Sequence, residues 1–213
     1  MSVRPASTVM LVREASARGI EVFMLRRSEK SAFAPNVYVF PGGTVDATDR
    51  DAGARTSHEE LRRLFRMDSP PGRDLQAGLV AAARRELLEE AGVRLPGAEP
   101  LELFSRWITP TAITPRYDVF FFVARMPEGQ TPVADATETH DGLWLTPADA
   151  LARSDAGDLR MIYPTRKHLE RLRGFPGVAE LLAFARTKPI LTVLAEGTER
   201  DGFALPRALE GGW

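Results

Sequence analysis

The chain has 213 residues, of which 44% are hydrophobic and 27% charged, and its formal net charge at pH 7 is −1. These proportions are those of a soluble globular protein, and the near-zero charge predicts no broad attraction to nucleic acid or to anionic membranes. The absence of cysteine excludes disulfides, thiolate metal sites and cysteine nucleophiles. Residues 1–17 contain no apolar signal-peptide segment and no apolar run reaches membrane-spanning length, so we expect a single cytoplasmic domain over residues 1–213.

The first half of the chain begins with short apolar runs and then becomes helical. Residues 7–12, 20–26 and 37–40 are predicted strands, and the last of them leads into the turn Pro41-Gly42-Gly43. Residues 47–76 are predicted to form a helical excursion, in which Ser57 caps a helix and residues 69–72 end the segment sharply. A longer helix is then expected over residues 75–91.

The second half predicts two further strands, over residues 101–109 and 117–125, and a short one over residues 143–145. Phe120 to Val123 are apolar without alternation, which is typical of a strand buried on both faces. Helices follow over residues 148–153, 165–173 and 178–185, then a strand over residues 190–194 and an irregular tail from residue 196 to 213. This order of elements by itself predicts a layered α/β fold.

The helix over residues 75–91 carries an unusual set of carboxylates. Glu86, Glu89 and Glu90 fall at i, i+3 and i+4, so they project from one face, and Gly92 stands where a left-handed cap ends a helix. Like charges at this spacing cost about 0.2–0.5 kcal/mol per pair, which a bound cation would relieve. The alternative is a solvated acidic face, which is how we interpret the pair Glu59-Glu60 in the preceding segment.

The run from Arg85 to Val93, RELLEEAGV, resembles the second half of the Nudix box, REUxEExGU, position for position. The turn Phe40-Pro41-Gly42-Gly43 is similar to the loop that opens the same motif. The resemblance implies the Nudix fold, an α/β/α sandwich around a mixed β-sheet, with residues 47–76 as a helical insertion between the glycine turn and the catalytic helix.

The spacing inside the motif departs from that of the family. Gly43 and Arg85 are 42 positions apart, about 28 more than in the usual box. A further glutamate is expected within this interval, but counting forward from Gly43 reaches Asp49 and counting back from Arg85 reaches Ala77. The missing glutamate is therefore assigned to no residue.

The resemblance implies hydrolysis of a diphosphate linkage with the help of Mg²⁺, with Mn²⁺ as an alternative. The metal ligands would be Glu86, Glu89, Glu90 and the backbone carbonyl of Gly42, and Arg85 is expected to pair with Glu89 and orient it. Glu138 is a candidate for an additional metal ligand or a general base from a loop, with a polar turn as the alternative. The histidines are not expected to take part in catalysis or metal binding. His140 suits an exposed turn, and His58 and His168 suit surface helices.

Residues 20–170 are also similar to the coenzyme A diphosphatase branch of the family, which carries a long insertion in its box. The similarity rests on residues 25–28, on the run from Phe33 to Asp46, and on Trp107-Ile108-Thr109-Pro110 with the residues 116–118 and 121–122. It makes three arginines candidates for binding phosphate, Arg26, Arg27 and Arg116. Three later residues are candidates for lining the acyl or adenine side of the substrate, Tyr163, Pro164 and Arg166.

Several functions stay open at this point. Coenzyme A or acyl-coenzyme A is the first candidate substrate, and ADP-ribose or an NADH-type dinucleotide is the alternative. A Nudix-fold sensor that binds a nucleotide without cleaving it is the hypothesis from another class. The expected partner is a small nucleoside diphosphate derivative, with no nucleic acid and no membrane, and a homodimer is an assembly that the sequence leaves open.

Overall fold

The computed structural model describes residues 3–17, 19–30, 34–96, 100–198, 202–210 and 212–213, so Phe33 lies outside the described residues. Within these ranges, eight strands form the main sheet: β1 (Arg4–Glu14), β2 (Ile20–Arg27), β3 (Tyr38–Val39), β4 (Gly42–Thr44), β5 (Leu101–Ile108), β6 (Tyr117–Arg125), β7 (Thr139–Leu145) and β8 (Thr192–Leu194). The helices are α1 (Ala47–Gly53), α2 (His58–Leu64), α3 (Arg73–Ala91), α4 (Pro147–Asp155), α5 (Tyr163–Leu172) and α6 (Val178–Thr187). None of them is both long enough and apolar enough to span a bilayer.

The sheet is mixed, and β1 lies at its centre. β1 runs parallel to β6 over residues 4–12, while on its other side β4 and β2 pair antiparallel with its first and last thirds. β6 pairs antiparallel with β5, which in turn pairs in parallel with β8. The pairing of Ser7 with Gly43 brings the glycine turn onto the centre of the sheet, which positions it for the site described below.

Two apolar cores lie on opposite faces of this sheet. In β6, Phe120 and Phe122 belong to the core beneath α2 and α3, while Phe121 and Val123 belong to the core beneath α4, α5 and α6. All four side chains are buried, which confirms the prediction of a strand covered on both faces. The α/β/α sandwich around a mixed sheet is therefore confirmed.

The segment between the glycine turn and α3 contains the two short helices α1 and α2. Ser57 caps α2 by accepting a hydrogen bond from the Glu60 backbone N–H, as predicted. The α2 residues Leu61 and Leu64 are buried in the core on the α3 side. α1 packs so closely on α3 that a Cβ on Gly53 would come within 2.3 Å of the Ala77 carbonyl oxygen.

Three predictions about the second half of the chain need correction. β7 begins at Thr139 rather than at residue 143, because it pairs with β2 as far as Arg27. The tail is not irregular throughout, since β9 (Glu196–Thr198) and β10 (Gly202–Ala204) form a small antiparallel pair. His168 is not a surface residue but is fully buried, with its ring stacked on Phe121 at 4.1 Å between centroids.

Candidate active site

The glycine turn meets the carboxylate face of α3. A Cβ on Gly43 would come within 2.1 Å of Glu86 Oε1, and one on Gly42 within 2.4 Å of the Ser7 carbonyl oxygen. The Gly42 backbone N–H donates a hydrogen bond of 2.8 Å to Glu90 Oε2. A side chain at position 42 would therefore meet the backbone of β1, whereas one at position 43 would displace the Glu86 carboxylate from its place against the turn.

The three glutamates differ in exposure although they share one face of the helix. Glu90 is buried at 6% exposure, and the Glu86 side chain is 13% exposed. The Glu89 side chain is 56% exposed and lies at the rim. The helix therefore presents one deep, one intermediate and one outer carboxylate, and all three line the same cavity.

Arg85 joins this face to the preceding segment. Its Nη1 donates to Glu86 Oε1 and to Glu89 Oε2, each at 2.8 Å, and its Nη2 donates to the Thr44 carbonyl oxygen at 3.1 Å. The hydrogen bonds with Asp49 are the main reason why the pKa of Arg85 is raised above its usual value. The expected pair of Arg85 with Glu89 is present, and the same guanidinium also binds Glu86. The orienting role of Arg85 stays a prediction.

Asp49 is the site residue that sequence reasoning missed. Its carboxylate accepts two hydrogen bonds of 2.9 Å from Arg85 and a third from the Asp46 backbone N–H, and the residue is only 3% exposed. It stands six positions after Gly43, where the spacing of the family motif predicts a glutamate. The residue at this position is an aspartate, so it did not match the motif.

Burial and crowding change the acidity of the inner carboxylates. The pKa of Glu90 is raised to about 8, chiefly by burial and with contributions from Glu86 and Glu138, against the opposing hydrogen bond from Gly42. Burial is also the main cause of the raised pKa of Glu86, to which Glu89 and Glu138 contribute. Negative charge is therefore costly here, and a divalent cation beside these groups would favour their ionised forms.

Oxygen ligands of this kind suit Mg²⁺. Among the described residues no group of three or more His, Cys, Asp or Glu side chains is arranged to enclose an ion. Mg²⁺ does not require such an enclosure, because it commonly binds one or two carboxylates and takes its other ligands from water and substrate phosphates. Glu86, Glu89, Glu90 and the Gly42 carbonyl therefore stay predicted ligands whose chemistry fits the ion.

Glu138 approaches the same face from the loop that leads into β7. It lines the cavity, and its charge contributes to the raised pKa values of both Glu86 and Glu90. The backbone holds the loop in place, since the Ser28 N–H donates to the Glu138 carbonyl oxygen at 2.9 Å. Its role as ligand or base stays a prediction, but its position beside the other carboxylates is the one that such a role requires.

The cavity has a volume of about 630 Å³ and two chemically different ends. The charged end is formed by the glycine turn together with Arg27, Arg85, Glu86, Glu89, Glu90 and Glu138. The other end is mainly aromatic and includes Trp107, Tyr163 and Phe203, with the Tyr163 ring between the other two. A ligand that fills the cavity would therefore carry charge at one end and apolar surface at the other.

The three candidate arginines have different surroundings. Arg27 lines the cavity, and its buried Nε has no hydrogen-bond partner among the described residues. Arg26 lies outside the cavity wall, where its Nε is 2.8 Å from Asp141 Oδ2. Arg116 also lies outside the wall and donates from Nε to the Thr109 carbonyl oxygen at 3.1 Å. Phosphate binding stays a prediction for all three, and Arg27 has the position for it.

The remaining candidate residues divide into those that line the cavity and those that lie outside it. Tyr163 and Pro164 line the apolar end of the cavity, whereas Arg166 is outside it and pairs with Asp155 at 2.8 Å. His140 and His58 are not part of the cavity wall. His168 lies behind the wall: its Nδ1 donates to the Pro164 carbonyl oxygen at 2.7 Å, so its Nε2 accepts from the Ser105 hydroxyl at 2.8 Å.

Comparison with known proteins agrees with this arrangement. Residues 71–165 match the NUDIX domain. The chain is 25% identical over 284 aligned positions to the "Acyl-coenzyme A diphosphatase NUDT19" of Gallus gallus, with 92% of this chain and 74% of the relative covered. It is 24% identical over 185 positions to nudix hydrolase 7 of Caenorhabditis elegans, covering 80% of this chain but only 61% of that relative's length.

A solved structure supports the fold. The NUDIX hydrolase from Alicyclobacillus acidocaldarius superposes with a TM-score of 0.71 at 23% identity, over 86% of this chain and 96% of the other. The carboxylate motif on α3, the glycine turn that closes on it and the domain match together place this chain in the Nudix hydrolase family.

Proposed function

We propose that the protein hydrolyses the diphosphate linkage of a nucleoside diphosphate derivative in the presence of Mg²⁺, with coenzyme A or acyl-coenzyme A as its substrate. The observation that carries the proposal is a single cavity in which the carboxylate face and Arg27 adjoin a large apolar end. The similarity to an acyl-coenzyme A diphosphatase supports the same substrate class. Such a substrate has a charged diphosphate at its centre and an extended, uncharged acyl-pantetheine arm.

The residues at the charged end would have different roles in such a reaction. Mg²⁺ held by Glu86, Glu89, Glu90 and the Gly42 carbonyl would neutralise the diphosphate oxygens and stabilise the leaving group. Arg27 would bind a non-bridging phosphate oxygen through its guanidinium, whose Nε has no hydrogen-bond partner among the described residues. Arg85 has no such role, because its donors are taken by Asp49, Glu86, Glu89 and the Thr44 carbonyl oxygen.

Glu138 is our candidate for accepting the proton of the attacking water. Glu86 and Glu89 form ion pairs with Arg85, and Glu90 accepts a hydrogen bond from the Gly42 N–H. The side chain of Glu138 makes no ion pair within the described ranges, yet it is close enough to Glu86 and Glu90 to affect their pKa values. An exposed carboxylate beside the cluster, with no ion-pair partner in the described ranges, is suited to general-base catalysis.

A substrate panel tests the proposal directly. The protein is incubated with Mg²⁺ and with coenzyme A, an acyl-coenzyme A, ADP-ribose or NADH, and the products are separated by chromatography. Release of 3′,5′-ADP and a phosphopantetheine product from coenzyme A or its acyl ester is the expected result. Cleavage of ADP-ribose or NADH with no cleavage of coenzyme A would support the alternative substrate class.

The non-catalytic alternative has its own outcome in this panel. Tight binding of one compound without cleavage of any would indicate a nucleotide sensor. The complete carboxylate face argues against this function, because a protein that only binds a nucleotide has no chemical need to keep three crowded acids ionised beside it.

A further inference from the structure

The apolar end of the cavity depends on the C-terminal segment of the chain. Phe203 in β10 lines the cavity, and its ring lies 5.8 Å from that of Tyr163. The Leu205 backbone also lies close enough to the Tyr163 hydroxyl to lower its pKa, against the larger effect of burial, which raises it. The segment that was expected to be an irregular tail therefore forms part of the wall.

The end of the chain keeps this wall in place. Trp213 is buried at 5% exposure, and its ring packs edge-on against Trp107 at 4.9 Å and against His168 at 4.7 Å between centroids. Trp107 in turn contacts Tyr163 at 6.2 Å. The aromatic end of the cavity is thus backed by a packed cluster of rings, which makes it a preformed surface.

Trp107 lines the cavity and carries a buried polar group that has no partner among the described residues. The residue is 3% exposed, and its indole Nε1 is buried without a hydrogen-bond partner among the described residues. An indole N–H can only donate, so it requires an acceptor such as a carbonyl oxygen. A ligand in the cavity that Trp107 lines can provide this acceptor.

Charge determines which ligand group suits this end. The arginines of the described wall, Arg27 and Arg85, both lie at the carboxylate end, and no lysine lines the described part of the cavity. A phosphate at the aromatic end would be buried without a compensating cation, which is unfavourable. Of the two arms of coenzyme A, the adenosine arm carries an additional phosphate, whereas the pantetheine arm is neutral and contains two amide carbonyls.

We propose that the aromatic end of the cavity binds the neutral, carbonyl-bearing pantetheine arm, with Trp107 Nε1–H donating to a carbonyl oxygen and with Phe203 and Tyr163 packing along the chain. This inference rests on the proposed function, because it assigns one arm of the same substrate. It makes Trp107 and Phe203 determinants of specificity, and it directs the phosphorylated adenosine arm away from this end.

Binding of pantetheine itself tests the assignment without requiring hydrolysis. Pantetheine is titrated into the metal-free protein, and its dissociation constant is measured by ligand-observed NMR for the wild type, Trp107→Phe and Trp144→Phe. Trp107→Phe keeps an aromatic ring and removes the donor, so binding should weaken about fivefold. Trp144 packs on Phe23 outside the cavity and is the matched control, which should bind as the wild type does.

A second variant tests the apolar contact and does not disturb the buried tryptophan. Phe203→Ala should lower kcat/KM for octanoyl-coenzyme A about fivefold, and leave kcat/KM for ADP-ribose unchanged if that compound is cleaved. Phe175→Ala is the control, because Phe175 packs on Phe184 and is absent from the described cavity wall. Circular dichroism and thermal melting check that each variant is folded.

The outcomes separate this proposal from the function on which it rests. If the wild type cleaves coenzyme A but does not bind pantetheine, or if Trp107→Phe and Phe203→Ala both behave as their controls do, the arm assignment is overturned while the function stands. If the wild type cleaves no coenzyme A compound, the proposed function fails. Pantetheine binding that depends on Trp107 would then still support the subsite.

Discussion

Asp49 and Arg85 form a two-bond ion pair, with Arg85 Nε on Asp49 Oδ1 and Nη2 on Oδ2, both at 2.9 Å. The pair links α1 to the carboxylate face of α3, because the same guanidinium also holds Glu86 and Glu89. Asp49 is thus a positioning residue that acts on the site through Arg85.

Asp49→Asn should lower both activity and stability. Because one partner of a buried ion pair loses its charge, we expect the free energy of unfolding to fall by about 1–3 kcal/mol. Groups that orient metal ligands typically account for about 10–100-fold in metal affinity or activity, so kcat/KM should fall within that range. Asp51→Asn on the exposed side of the same helix is the control. Equal urea-denaturation midpoints and equal kinetics for the two variants would remove Asp49 from the site.

Glu89→Gln and Glu90→Gln should each lower turnover by about a hundredfold or more while the protein stays folded. Each substitution removes a charge from the predicted metal-binding face. In the wild type, Mg²⁺ should raise the melting temperature, because an ion that binds the folded state stabilises it, and Glu90→Gln should diminish this rise. Glu59→Gln and Glu60→Gln in α2 supply the matched acidic control. Wild-type turnover in both α3 variants would exclude these glutamates from catalysis.

The two glycines of the turn should respond differently to alanine. A Cβ at position 43 meets the Glu86 carboxylate, which can move aside, so Gly43→Ala should lower kcat/KM about 10–100-fold with a stability change below about 1 kcal/mol. A Cβ at position 42 meets the backbone of Ser7 and Thr8, so Gly42→Ala should lower the free energy of unfolding by about 1–3 kcal/mol. Gly174→Ala, where a Cβ meets nothing within 4 Å, is the control for both measurements.

His168 should make the protein sensitive to acid. Burial lowers the pKa of His168 to about 3 from its usual 6.5. Between these values the unfolded chain binds a proton that the folded protein does not, so the stability contributed by the neutral ring is lost as pH falls below 6.5. The wild type should lose up to about 1.4 kcal/mol per pH unit more than His168→Gln in this window. Urea unfolding between pH 4 and 7 measures the difference, with exposed His58→Gln as the control. Parallel pH profiles for the wild type and His168→Gln would contradict this account.

Local patterns in the sequence were sufficient for much of the fold. Two local patterns were predicted correctly. Gly92 ends α3 in a left-handed cap, and the unbroken apolar run from Phe120 to Val123 in β6 is buried. The burial of His168 and of Trp213 was not predicted, for one reason. Their burial depends on rings from distant parts of the chain, such as Trp107, Trp213 and Phe121, and no local pattern encodes these contacts.

By itself, the sequence determined the family and the carboxylate face of α3. The face could be predicted because a helix places residues at i, i+3 and i+4 on the same side wherever the helix lies. Only the tertiary structure decided which residues complete the site. Long-range packing brings Asp49 onto Arg85 and Phe203 beside Tyr163, and it separates Arg27 in the cavity from Arg26 and Arg116 outside it. These relationships depend on how the sheet and its helices pack, since residues far apart in the chain become neighbours only when their elements share a core.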